Sequence, residues 1–202
     1  MRAFRQILFL RRGFSSPYRI ALPRTRTIAR RALFPVVLCA GIAIPVLGFQ
    51  LLGLRIGLTD SACPPGIYRM VNRAPSRGDL VLACLPDAIA RFGRARGYLL
   101  RGRGCGDGIE PVGKRLSALP GDSVEVMRDY IAVNGQRLEH SATLPRDSRG
   151  GSVHHVAWGR YTVHPGEVWL FGTKDARSWD SRYFGPVPAS SVRAALEPVL
   201  TW

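Results

Sequence analysis

From Ala32 to Leu54 the chain reads ALFPVVLCAGIAIPVLGFQLLGL, 23 residues whose only ionisable group is the Cys39 thiol and whose one strongly polar side chain is Gln50. A run of this length without a charge is what a helix needs to cross the hydrocarbon core of a bilayer, and a helix buried in a soluble core seldom runs so far without one. Pro35 and Pro45 predict kinks, which membrane helices tolerate. A cleaved leader is disfavoured, because its apolar region is shorter and no small-x-small cleavage site follows directly.

Nine arginines, Arg2, Arg5, Arg11, Arg12, Arg19, Arg24, Arg26, Arg30 and Arg31, precede the run with no acid among them, whereas Arg55 is the only basic residue in the twelve positions after it. The positive-inside rule then divides the chain into a basic cytoplasmic tail (1–31), one transmembrane helix (32–54) and an exported domain (55–202). The expected location is a bacterial inner membrane, with the domain in the periplasm. The formal charge of +15, from 29 basic and 14 acidic residues, falls to +6 once the tail is set aside. The excess is therefore read as a topology determinant in contact with anionic lipid, with the bilayer as partner and no nucleic acid. A DNA-contacting arm is the alternative.

The exported domain predicts short strands punctuated by turns. Asp79–Cys84 has the apolar run of a strand. Lys114–Leu119 alternates polar and apolar residues up to Pro120-Gly121, and the same period resumes in Ser123–Met127. Tyr130–Val133 and Gln136–Leu138 flank Asn134-Gly135, a hairpin signal. Arg160–Val163 and Glu167–Phe171 read as strands around His164-Pro165-Gly166. The segment 58–70 reads as a loop or strand edge, since Pro64, Pro65 and Gly66 exclude a helix. The glycine-rich stretch Phe92–Gly108 and the polar residues 142–153 read as loops, and only Ala189–Leu196 reads as a short helix. The pattern predicts a mainly β domain, barrel-like or sandwich-like, on one membrane anchor.

Cys63, Cys84 and Cys105 fall on the oxidising side, where thiols pair. Cys84 and Cys105 flank the stretch Leu85–Gly104 and form the favoured pair. Spacing alone leaves the connectivity open, with three free thiols as the alternative. No Cys-x-x-Cys occurs and His154-His155 lack ligand spacing, so no metal is expected.

Only two of the 29 basic residues are lysines, Lys114 and Lys174. An ammonium that is desolvated can lose its proton where a guanidinium cannot, and Lys114 lies at the start of an apolar strand. A base requires a nucleophile. Ser61 stands on a proline-braced segment seven residues beyond the span, within reach of a peptide presented at the outer membrane face.

Thr59-Asp60-Ser61-Ala62-Cys63-Pro64-Pro65-Gly66-Ile67-Tyr68-Arg69 resembles the nucleophile box of the type I signal peptidase superfamily, in particular its conjugative-transfer, TraF-type branch. Three further boxes follow in order: Arg77-Gly78-Asp79-Leu80-Val81, Lys114 to Asp122 ending in Leu119-Pro120-Gly121-Asp122, and Ser178-Trp179-Asp180-Ser181-Arg182-Tyr183-Phe184-Gly185-Pro186-Val187-Pro188. Asn134-Gly135 matches the hairpin between the last two. Ordered co-occurrence over residues 33–197 makes the resemblance specific where one box would be weak.

The resemblance implies a signal-peptidase-like β domain with Ser61 as nucleophile and Lys114 as general base, a serine–lysine dyad needing no cofactor. It implies that Ser178 orients the Lys114 amine, that the Ser61 N–H and the Thr59 hydroxyl form an oxyanion hole, and that Asp180 pairs with Arg182. In the conjugative branch, whose members trim a pilin precursor and join its ends, it gives Asp180 a direct part in the reaction. The implied partners are a precursor polypeptide and components of a conjugative transfer or type IV secretion apparatus. Ala62 stands where ordinary leader peptidases have methionine, which fits the conjugative branch. Gly172-Thr173-Lys174 departs from the usual Gly-Asp-Asn. Cys63 is a rival nucleophile, but no histidine is tied to it by any motif. A general signal peptidase and a catalytically silent scaffold of a transfer channel are the alternative functions.

Overall fold

The computed structural model describes residues 25–57 and 61–202, and the side chains of these apart from residues 25–34, 36 and 107. Helix α1 runs Thr25–Leu51. Val37, Leu38, Ile42 and Ile44 on it are exposed. Among the described residues no helix is long and apolar enough to cross a membrane. Most of the expected basic tail, and the first side chains of the expected span, lie outside the described residues. The chain divides after Ile44, and the second unit, Pro45–Trp202, contains the strands.

That unit is mainly β. A seven-stranded sheet has the order β1 (Leu54–Gly57), β2 (Gly66–Val71), β11 (Val192–Thr201), β3 (Leu80–Ala83), β4 (Val112–Ala118), β9 (Glu167–Phe171), β10 (Val187–Pro188). A four-stranded sheet has the order β7 (Gln136–Arg137), β6 (Ile131–Val133), β5 (Ser123–Val126), β8 (Gly159–Thr162). Every pairing is antiparallel.

Side chains alternate across a strand, and β9 uses both faces. Trp169 and Phe171 join Ala118 and the valines and isoleucine of β5 and β6 in a cluster shared by the two sheets. Val168 and Leu170 join Val81, Ala83, Leu116 and Val187 on the opposite face. A strand covered on both sides reads as a continuous apolar run, which is why Val168–Phe171 shows no alternation.

The turn at Pro120-Gly121 joins two strands that do not pair: β4 bonds β3 and β9, while β5 bonds β6 and β8. The chain changes sheets at this corner, which Asp122 holds. Its carboxylate accepts from Leu119 N at 2.7 Å and Asn134 Nδ2 at 2.9 Å, and it pairs with Arg77. Two of the sequence boxes and the Asn134-Gly135 hairpin thus meet in one network. Asn134 (φ 50°) and Gly135 (φ 80°) make the tight turn between β6 and β7, as that dipeptide favours. The strands on either side of His164-Pro165-Gly166 also form, but in different sheets.

Three local expectations are corrected. The stretch Phe92–Gly108 is not all loop: α2 spans Asp87–Ala95, with Asp87 in its first turn and Arg94 in its last, the charge order a helix dipole favours, and Gly106–Gly108 form a 3-10 turn. Ala189–Leu196 is not a helix: Ala189–Ser191 make one 3-10 turn and the rest belongs to β11, which is hydrogen-bonded to β2 on one side and β3 on the other. Two ladders outweigh the helix propensity of Ala194-Ala195-Leu196. Part of the segment 58–70 is regular strand, since β2 begins immediately after Pro64-Pro65. Cys84 and Cys105 are joined in a disulfide, and Cys63 is a buried free thiol.

Candidate active site

In β4, residues 112, 114 and 116 share one face. Val112 and Leu116 pack into the apolar cluster there, and Lys114 stands between them opposite Val81 of β3. Lys114 is 6% exposed. Ser61 precedes the two prolines that lead into β2, and the neighbouring Ala62 and Cys63 are buried against Tyr68, Leu80 and Leu196. Tyr68 holds this turn by donating to Pro64 O at 2.5 Å.

The two segments meet at the Lys114 amine, which donates to Ser178 Oγ at 2.7 Å and to Ser61 Oγ at 3.2 Å. Burial is the largest influence on this group and lowers its pKa; Arg182 acts in the same direction, while Asp180, Cys63 and Asp175 oppose it. The net shift is downward, because removing an ammonium from water disfavours its charged form. A neutral amine so placed can take the proton of Ser61.

Ser178 lies in the segment that leaves β9 and returns through α3 (Ser181–Phe184). Asp180 and Arg182 on this return are both 0% exposed. Asp180 accepts from Arg182 Nε and Nη2, each at 2.8 Å, and from Gly172 N at 2.8 Å. Arg182 also donates to the carbonyls of Ala142 (2.8 Å), Gly172 (3.0 Å), Ala176 (3.2 Å) and His140 (3.3 Å). Burial works against the guanidinium charge, but Asp180 outweighs it and the pKa is raised. The pair thus ties three stretches of loop together behind Ser178. The hydrogen bonds of Asp180 run to Arg182 and Gly172, so its influence on Lys114 is exerted through space.

The structure therefore brings Ser61, Lys114 and Ser178 into direct contact and sets the Asp180–Arg182 pair behind them. Thr59, expected at the oxyanion hole, lies outside the described residues. Two supports were not anticipated from the sequence. A Cβ on Gly172 would lie 2.1 Å from Ser178 Oγ and 2.6 Å from Ser61 O, so only glycine fits between the two serines. Lys174 donates its backbone N–H to Ser61 O at 3.2 Å, fixing the carbonyl of the candidate nucleophile. The signal available for the first was the glycine of Gly172-Thr173-Lys174, directly after a strand; the second is a backbone contact and leaves no trace in residue type. A cleft of about 420 Å³ opens beside Ser61 and Lys114, bordered by Leu99, Pro111, Asp175 and Trp179. Among the described residues no cluster of His, Cys, Asp and Glu suited to a metal ion is found.

Comparison with known proteins places the chain in a family. A family model described as signal peptidase, peptidase S26, matches residues 26–201. A plasmid transfer protein TraF of Escherichia coli is 34% identical over 169 residues, covering 82% of this chain and 94% of that protein. A conjugal transfer protein TraF of Agrobacterium tumefaciens (strain 15955) is 37% identical over 153 residues, covering 74% of this chain and 84% of that protein. Among solved structures, a signal peptidase I of Enterococcus faecalis V583 is matched at 25% identity and a TM-score of 0.37, over 63% of this chain and all of that one.

Proposed function

The chain belongs to the signal peptidase family, peptidase S26, and from that premise we propose that it is a membrane-anchored serine endopeptidase with Ser61 as nucleophile and Lys114 as general base. The observation that supports this most is the buried Lys114 amine within hydrogen-bond distance of both Ser61 Oγ and Ser178 Oγ. Ser61 Oγ attacks the scissile carbonyl while its proton passes to the Lys114 amine. The oxyanion is held by the Ser61 N–H and the Thr59 hydroxyl. Collapse breaks the C–N bond, the leaving amine takes the proton from Lys114, and an ester on Ser61 remains. Water then attacks the ester with the same lysine as base, restoring the Ser61 hydroxyl. Attack by the substrate's own terminal amine instead forms an amide and closes the chain, a step to which Asp180 contributes. Ser178 orients the amine, and the Asp180–Arg182 pair supports the loop that carries it.

The substrate is an exported precursor, a conjugative pilin, delivered at the outer face of the inner membrane. This reading draws on the relatives named for plasmid and conjugal transfer. The anchor is the uncharged run 32–54 and the catalytic domain is periplasmic. The test is mass spectrometry of the candidate precursor co-expressed with wild type or with Ser61→Ala at matched membrane levels. Shortening by wild type alone supports the peptidase, and a further loss of one water shows end-joining. Processing by both removes Ser61 from the mechanism. Processing by neither, across the exported precursors of the same transfer system, points to a scaffold.

A further inference from the structure

Ser178 is followed by Trp179, to which no role was assigned from the sequence. The Trp179 ring packs between Phe92 (6.1 Å between ring centroids), Tyr98 (5.3 Å) and Phe184 (5.0 Å). Phe92 belongs to α2, and Tyr98 lies just beyond its end. The helix approaches so closely that a Cβ on Gly93 would lie 2.5 Å from Trp179 Cζ3 and 2.9 Å from Leu99 Cδ1. Glycine inside a helix is disfavoured relative to alanine, so here the close contact outweighs helix propensity.

The far side of this cage is anchored as well. The Tyr98 hydroxyl donates to Asp147 Oδ2 at 2.6 Å and accepts from Arg96 Nε at 3.2 Å, and Arg96 pairs with Asp147 at 3.3 Å. The disulfide Cys84–Cys105 closes the segment that contains α2, and Cys84 directly follows β3, the strand that pairs with Lys114's own. On the other side of Trp179, Asp180 is fixed by Arg182 and Gly172. Ser178 itself belongs to no helix or strand, and its backbone N–H bonds Asp175 O at 3.0 Å. Its position therefore depends on its neighbour's ring on one side and on the buried pair on the other.

We propose that Trp179, caged by Phe92, Tyr98 and Phe184 against Gly93, is a positioning residue that sets the distance from Ser178 Oγ to the Lys114 amine, so that α2 is part of the catalytic apparatus. The proposal rests on the reading of Ser61 and Lys114 as the reacting pair. The groups that face Lys114 are Ser61 and Cys63 from the nucleophile turn, and Asp175, Ser178, Asp180 and Arg182 from the return segment. Loosening the cage moves Ser178 and admits water to the amine, while the other groups keep their anchors.

The experiment measures cleavage of the precursor that wild type processes, with the full-length chain in membranes, as a function of pH. Wild type is compared with Gly93→Ala, Trp179→Phe, the double variant and Ser61→Ala. Gly93→Ala is expected to lower kcat per folded protein on the order of tenfold to a hundredfold, with KM within about twofold of wild type. Its acid limb moves to higher pH, because readmitted water restores part of the ammonium's hydration. Trp179→Phe makes room for the added methyl, so the double variant recovers most of the kcat that Gly93→Ala alone loses. A wild-type kcat and pH profile for Gly93→Ala overturns the proposal. So does a loss confined to KM, which marks Trp179 as a substrate contact, or a double variant no better than Gly93→Ala. If Ser61→Ala cleaves like wild type, the dyad reading falls and the positioning role with it; an inactive Ser61→Ala beside an unaffected Gly93→Ala removes the positioning role alone.

Discussion

The four-stranded sheet contributes Val124, Val126, Ile131 and Val133 to an apolar cluster and leaves its Arg160–Glu125 pair at the surface, whereas the loop leaving the seven-stranded sheet buries Asp180 and Arg182 beside the buried Lys114. Both regions are built from short antiparallel strands with the same alternation. They differ in what is kept from water. An apolar cluster stabilises by removing hydrocarbon from water, and a buried ion is tolerated only when hydrogen bonds and an opposite charge replace its hydration. Arg182 has that replacement in a carboxylate and four carbonyls. Lys114 has two hydroxyls, and burial lowers its pKa. The first arrangement holds a charge in place; the second suits the proton acceptor that the proposed mechanism requires.

The sharpest way to separate these arrangements is Lys114→Met, which keeps the volume and removes the amine. Precursor cleavage should fall on the order of 10,000-fold or more, while thermal unfolding should show a fold at least as stable as wild type at neutral pH. Between its lowered folded pKa and the ordinary lysine value, Lys114 binds fewer protons folded than unfolded. Wild-type stability should therefore rise with pH through that window and this contribution should vanish in Lys114→Met, as denaturant titrations at several pH values would show. Cleavage by wild type should rise with pH along a limb lying below that of an exposed lysine. A variant that cleaves normally breaks the contrast at its catalytic end.

Asp180→Ala tests the structural end. It leaves the Arg182 guanidinium buried without its carboxylate and should cost about 3–5 kcal/mol in denaturant unfolding. If the loss is under about 1 kcal/mol, the pair behaves as a surface pair and the distinction between the two regions fails. The smallest effect is expected from Glu125→Gln on β5, where Arg160 is largely exposed: unfolding free energy should change by about 0.5 kcal/mol or less.

Much of this arrangement was legible in the residues. The Asn134-Gly135 hairpin and the strand around Lys114 follow from turn chemistry and alternation, because each depends on neighbours in sequence, and the pairing of Asp180 with Arg182 was implied by the family resemblance that the ordered boxes carry. Helix α2 was not legible. Its nine residues include an interior glycine and two arginines, and what holds it is contact with Leu99 and Trp179 from other segments. The strand at Val192–Thr201 was hidden for the opposite reason, since its local residues favour helix and only the free edges of β2 and β3 make a strand the better partner.

The order of the boxes, the scarcity of lysine and the uncharged run after the arginine-rich tail are properties of the chain alone, and with them come the family resemblance and the candidates Ser61 and Lys114. Tertiary structure decided the rest. It placed Ser61 and Lys114, 53 residues apart, within 3.2 Å of each other, put Ser178 on the same amine, and left only the width of a glycine between the two serines. Residue types can state which groups are able to exchange a proton. Whether they do depends on a few tenths of an ångström and on the exclusion of water, and both are properties of the packed molecule.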